Sequence, residues 1–152
     1  MTMKSISIPE PMLKSIFVQA EKEYPHECCG MIMESVETST LRLCPCQNAQ
    51  DMYHQLDPTN FPRTSETAYF IDSGKLFKIQ KKARENREKI KIIYHSHINA
   101  GAYFSEEDTR IALSEGEPVY SGVEYLVVSV VQGKVSDYNL FKWDSTKRAF
   151  VT

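Results

Sequence analysis

The chain has 152 residues, 41% of them apolar, with 18 Lys and Arg against 20 Asp and Glu and a formal charge of −2. This length predicts a single globular domain over residues 1–152, with a core that needs neither a disulfide nor a structural metal as a staple. The charge balance lacks the basic excess of a nucleic-acid binder, and the longest charge-free apolar stretch, Tyr125 to Val131, is far shorter than the about 20 residues of a membrane helix.

Met1 to Ile8 holds one Lys and no apolar run ahead of Pro9, so the sequence shows no secretory signal and the expected compartment is the cytoplasm. Ser5 to Ile8 alternates polar and apolar residues, which predicts a short strand. Pro9-Glu10-Pro11 then opens a helix whose apolar stripe of Met12, Ile16 and Ala20 runs to Glu23 and stops at Tyr24-Pro25. Gly30 to Met33 and Thr40 to Leu43 read as strands. The stretch from Pro45 to Ser65 loses periodicity and reads as one long loop.

Alternation over Thr67 to Ile71 predicts another strand, and Asp72-Ser73 caps a second helix that carries Leu76, Ile79 and Ala83 on one face. Its other side is basic, with seven Lys or Arg and two Glu between Lys78 and Lys91, and is read as a solvated face. Ile90 to Tyr94 is a buried strand by content, and Ser105 to Ser114 a helix. Val123 to Val131 and Lys134 to Phe141 form a hairpin turning at Gln132-Gly133, and Arg148 to Val151 is a last short strand. The predicted architecture is α/β with mixed character, a mixed central sheet flanked by helices.

Chemistry concentrates at the end of the strand Ile90 to Tyr94. In an extended chain His95 and His97 point to the same side, so two imidazoles can reach one ion. A polar loop, Ile98 to Phe104, leads to Ser105-Glu106-Glu107-Asp108. Ser105 and Asp108 at this spacing describe a capping box, and Asp108 is equally a third ligand beside the two His. Two His and one carboxylate leave an open position on Zn²⁺, the ligand count of a catalytic site, though iron also uses this set. A base near such a metal must be a carboxylate that does not bind it, and Glu27, in the turn before Gly30, is the candidate.

Glu27, then His95-Ser96-His97, seven residues, Ser105, two residues and Asp108 resemble the JAMM motif of the MPN-plus metalloproteases. Pro25-His26-Glu27-Cys28-Cys29-Gly30 is similar to the Pro-x-Glu-x-Cys-Gly segment of small prokaryotic members, while Asp51 to Glu66 is the poorest fit. The resemblance implies a mixed sheet with flanking helices and hydrolysis of amide or isopeptide bonds after the C-terminal glycine of ubiquitin or a ubiquitin-like protein. It implies that His95, His97 and Asp108 bind Zn²⁺, that Glu27 activates water and that Ser105 stabilises the oxyanion. Ile98 and Phe104 depart from it, since many members have Pro at both places.

Cys28-Cys29 and Cys44-Pro45-Cys46 do not have the spacing of a four-thiolate zinc site, so they are read as thiols, with Cys29 in the core. His54 and Tyr53 are read as surface residues of the long loop. The small size and the Glu-x-Cys-Gly segment resemble enzymes that trim a ubiquitin-like sulfur carrier or its amino-acid conjugate, captured as an added strand. Two other functions stand beside this one: a deubiquitinase-like isopeptidase and a non-catalytic interaction module. No nucleic-acid or membrane partner is expected, and a homodimer is left open.

Overall fold

Twelve elements, in chain order, make up residues 3–152, the part described by the computed structural model. They are α1 (Glu10–Glu23), β1 (Cys29–Ser35), β2 (Leu41–Cys46), α2 (Gln50–Leu56), α3 (Ser73–Glu85), β3 (Glu88–Ile98), α4 (Glu106–Ala112), β4 (Leu113–Ser114), β5 (Glu117–Pro118), β6 (Glu124–Val131), β7 (Lys134–Asp144) and β8 (Ala149–Val151). Six strands form one sheet in the order β2-β1-β3-β6-β7-β8. The pair β3–β6 is parallel and the other neighbours are antiparallel, which makes the sheet mixed, as the alternation of strands and helices predicts.

Period-2 alternation divides the core between the two faces. Leu13, Ile16 and Ala20 of α1 pack with Ile32, Ile92, Tyr94, Leu126 and Val128 on one side. Met31, Met33, Ile93 and Tyr125 point to the other, where they meet Ala83 of α3 and Ala112 of α4. Asp72 caps α3 as expected, its carboxylate accepting from Gly74 N at 3.1 Å and Lys75 N at 3.2 Å. The basic outer side of α3 is solvated. Gln132 and Gly133, at φ 49° and 82°, make the two-residue β6–β7 turn, a conformation that Gly adopts without steric cost. Among the described residues no helix is long and apolar enough to cross a membrane.

Several local expectations are corrected. Ser5 to Ile8 is not a strand: Lys4 is tied through side chains, its Nζ donating to Tyr138 O and Asn139 Oδ1, both at 2.7 Å, and Ile8 is buried in the α1 cluster. Thr67 to Ile71 is also irregular. Its polar backbone groups are met by Asn48, which accepts from Phe70 N and donates to Ala68 O, each at 3.1 Å, so the alternation there reflects burial without a ladder. The stretch from Pro45 to Ser65 is not one loop: Pro45 and Cys46 extend β2, where an edge strand tolerates Pro, and α2 follows. The helix expected from Ser105 to Ser114 ends at Ala112, because the chain turns through Glu115 and Gly116, at φ 53° and 79°, to pair β4 with β5. Finally, β3 runs on to Ile98, so both His lie inside the strand.

Candidate functional site

His95 and His97 project from the end of β3 towards the α4 side of the sheet, and the first turn of α4 brings Asp108 against them. His95 Nε2 lies 3.0 Å from Asp108 Oδ1, and His97 Nε2 lies 3.0 Å from Asp108 Oδ2. All three side chains are buried. His97 Nδ1 is 2.9 Å from Gly101 O, and since a carbonyl only accepts, this nitrogen carries a hydrogen. In the neutral ring Nε2 is then a lone pair aimed at a carboxylate oxygen. Two such acceptors at this distance require a cation between them, a proton or a metal ion. The bond to Gly101 is the outer contact that fixes ring tautomer in metal-ligating His.

His95 sharpens the point. Its ring is fully buried and stacks on Tyr69 with centroids 4.5 Å apart, and neither nitrogen makes a hydrogen bond, since the close approach to Asp108 lacks hydrogen-bond geometry. An unmet buried polar atom costs about 1–3 kcal/mol. The three ligand atoms lie within 4.8 Å of one another, and tetrahedral bonds of about 2.1 Å would space them about 3.4 Å apart. The residues thus fit a divalent cation. Burial opposes the charge on Asp108, but His95, His97 and the Ser105 N–H outweigh it and hold the carboxyl well below the usual carboxylate range.

Ser105 is the N-cap of α4. Its Oγ accepts from Asp108 N at 3.0 Å while Asp108 Oδ2 accepts from Ser105 N at 3.0 Å, a complete capping box. The cap uses a lone pair of Oγ, so the O–H remains available as a donor. Glu27, Ser105 and His97 line a cleft of about 160 Å³ together with Arg63, Glu66, Thr67 and Tyr103. Burial, then the nearby charge of Asp108, pushes the Glu27 carboxyl up to about 9 against a smaller opposing effect of Arg63.

What holds Glu27 there is the stretch from Asn48 to Ser65. Glu27 N donates to Ser65 O at 2.7 Å, and Asn48 Nδ2 donates to Glu27 O at 2.8 Å. Ser65 is in turn anchored by Asp51, whose carboxylate accepts from its N and its Oγ, both at 2.7 Å. Tyr53 and His54 are not plain surface residues: Tyr53 packs on Phe61 and Phe70 and bonds Asp72, and His54 Nδ1 bonds Phe61 O at 2.7 Å. They shape the loop that supplies Arg63.

All five singled-out residues therefore meet at one end of the sheet: His95, His97 and Asp108 as a cluster, with Glu27 and Ser105 on its cleft. Sequence reasoning missed Tyr69, Arg63 and Tyr103, whose ring lies edge-on to His97 at 5.0 Å. Nothing local to those residues signals their place. The four cysteines are free; Cys28 and Cys29 are buried, and burial pushes the Cys28 thiol up to about 12. No other His, Cys, Asp and Glu group among the described residues brings three ligand atoms so close.

Residues 9–145 match the family described as prokaryotic homologs of the JAB domain. The chain is 26% identical over 111 residues to proteins of Mycobacterium tuberculosis and Mycobacterium bovis named CysO-cysteine peptidase, covering 73% of this chain and 68% of theirs. Its fold is shared by a solution structure from Desulfitobacterium hafniense, with a TM-score of 0.63 at 19% identity over 90% of this chain and 83% of that one. A second, from Salinibacter ruber, gives 0.60 at 21% identity over 94% and 85%.

Proposed function

Because the chain belongs to the family of prokaryotic homologs of the JAB domain, we propose that it is a zinc metallopeptidase of the JAMM type, with residues 1–152 forming one catalytic domain. Its substrate in this reading is a small ubiquitin-like sulfur-carrier protein, cut at the amide bond after the C-terminal glycine. The name of the mycobacterial relatives supports that substrate class. The observation that carries the chemistry is the buried His95, with two unpaired nitrogens, in a cluster whose acceptors need a cation.

His95, His97 and Asp108 would hold the ion. When bound, Zn²⁺ polarises the scissile carbonyl and lowers the pKa of a water towards about 7. Glu27 would take the proton of the attacking water and deliver it to the departing amine; its burial raises its proton affinity, which favours holding that proton between the two transfers. Ser105 offers its O–H to the developing oxyanion, and preorganised donors of this kind are worth about 3 kcal/mol in the transition state. The capping box holds Ser105 and Asp108 in one rigid unit, so the donor and the ligand keep their spacing.

The test is metal analysis of the purified protein together with an assay on carrier–amino acid conjugates. The zinc-loaded chain is expected to release the amino acid, and Glu27→Gln to retain zinc while kcat falls about 10²–10⁴-fold. Conjugates left uncut across a panel of carriers would overturn the substrate class. Zinc lost from Glu27→Gln would show that Glu27 is a ligand and not the base.

A further inference from the structure

Arg63 separates two spaces. On one side is the cleft that holds Glu27, His97 and Ser105. On the other is a pocket of about 250 Å³, lined by Phe61, Pro62, Tyr69, Phe70, Arg63 and Arg110 among others. Tyr69 ties this second pocket to the metal cluster, since the same ring stacks on His95. The volume lies below the about 300 Å³ where ordinary ligand sites begin, so it takes one amino-acid side chain and no folded partner.

The charges around the pocket do not balance. Glu107 is the carboxylate for two guanidiniums: Arg63 Nε approaches its Oε2 at 3.2 Å, and Arg110 Nε donates to its Oε1 at 2.6 Å. Arg63 Nη1 donates to Thr67 O at 3.4 Å, and its Nη2 has no partner among the described residues. The side chain is about half exposed, at 48%. One cation thus stays uncompensated where the cleft and the pocket meet, and a guanidinium fork is matched to a carboxylate. Glu66, which also lines the cleft, repels an anion from the Glu27 side and leaves the Arg63–Arg110 side to receive one.

We infer that Arg63 is a specificity-determining residue that receives the free α-carboxylate of the amino acid released from the carrier, with Arg110 beside it and the released side chain in the Phe61–Tyr69–Phe70 pocket. The inference rests on the peptidase reading and adds to it the side chain that reads the released residue's terminus. Hydrolysis breaks the bond between the glycine carbonyl carbon and the amine nitrogen. The water oxygen stays with the glycine carboxylate, the amine gains a proton, and the product is a free amino acid whose carboxylate marked it as terminal. A lysine isopeptide, or an internal peptide bond, has no such carboxylate to offer.

The full-length zinc-loaded protein is to be compared on two conjugates of one Gly-Gly-ended carrier, each with one added amino acid, as the free acid or as the α-carboxamide. The wild type is expected to prefer the acid by about ten- to a hundredfold in kcat/KM, the worth of a hydrogen bond to a charged group. Arg63→Gln should remove that preference by slowing the acid far more than the amide, with zinc content unchanged, and Arg63→Lys should restore part of it. Equal wild-type rates on acid and amide, or an equal loss on both in Arg63→Gln, overturn the inference. Binding gives a second readout: calorimetry of Gly-Gly-Ala as acid and as amide with the zinc-loaded Glu27→Gln protein, then with Arg63→Gln added. If neither conjugate is cut the peptidase reading fails. The inference is then decided by binding, and it falls if the acid binds no tighter than the amide.

Discussion

Along β3 the side chains alternate between the face under α1, taken by Ile92, Tyr94 and Ser96, and the face towards α3 and α4, taken by Ile93, His95 and His97. Both sets are buried, and both contain polar groups. Under α1 those groups find partners in the chain: Tyr94 OH donates to Gln19 Oε1 at 2.6 Å, and Ser96 Oγ accepts from Cys28 N at 2.8 Å. Across the strand His95 finds none. A structural face satisfies its own polar atoms, while a face that leaves a buried ring unpaired beside a carboxylate is built for something added later. Burial alone would not have separated the two.

The comparison can be broken from either side. Asp108→Asn is expected to have the largest effect, since it removes the charge that both rings face. Zinc affinity should drop well beyond the about 10–100-fold that loss of an outer-shell partner costs, and metal content after dialysis measures it.

A smaller effect should appear in the metal-free protein as pH changes. Burial raises the Glu27 carboxyl from 4.5 to about 9, so between those values the folded chain holds a proton that the unfolded chain has released. Stability therefore falls as pH rises through this window, by at most about 1.4 kcal/mol per unit. Asp108, shifted the opposite way, is ionised in both states above pH 5 and does not contribute. Thermal melts from pH 5 to 8 should slope downwards for the wild type and flatten in Glu27→Gln, and parallel slopes would contradict the burial argument.

The smallest effect tests the structural face. A Cβ at Gly30 would lie 2.2 Å from Tyr94 Oη and 2.3 Å from the ring carbon bearing it, so the ring, held by Gln19, must shift. Gly30→Ala should cost about 1–3 kcal/mol in chemical denaturation, the usual range for overpacking, with zinc content near that of the wild type. A loss of zinc at normal stability would mean that the two faces are not independent.

Most elements were legible in the sequence where a periodic apolar pattern met a clear end, as in α1 with its stripe and Pro25, or β6 and β7 with the turn at Gln132-Gly133. The seven-residue α2 was not, for it buries only Gln50 and offers no stripe. Thr67 to Ile71 carries a strand's alternation, but Asn48, distant in sequence, takes the bonds that a ladder would need. The ends of β3 and α4 were misjudged by a few residues for a related reason: pairing partners and turns, more than composition, decide where an element stops.

The candidate site divides along the same line. His95 with His97, and Ser105 with Asp108, sit two and three residues apart, and at that range strand pleat and helix turn decide which side chains share a side. The sequence by itself therefore determined that the two imidazoles share a side and that Ser105 and Asp108 form a capping box. Whether Glu27 reaches the same cleft, which residue holds it, and that Arg63, Tyr69 and Tyr103 surround it were decided only by the tertiary structure. These contacts join segments far apart along the chain, and their geometry follows from how the sheet, α4 and the Asn48 to Glu66 loop pack together, which no local pattern encodes.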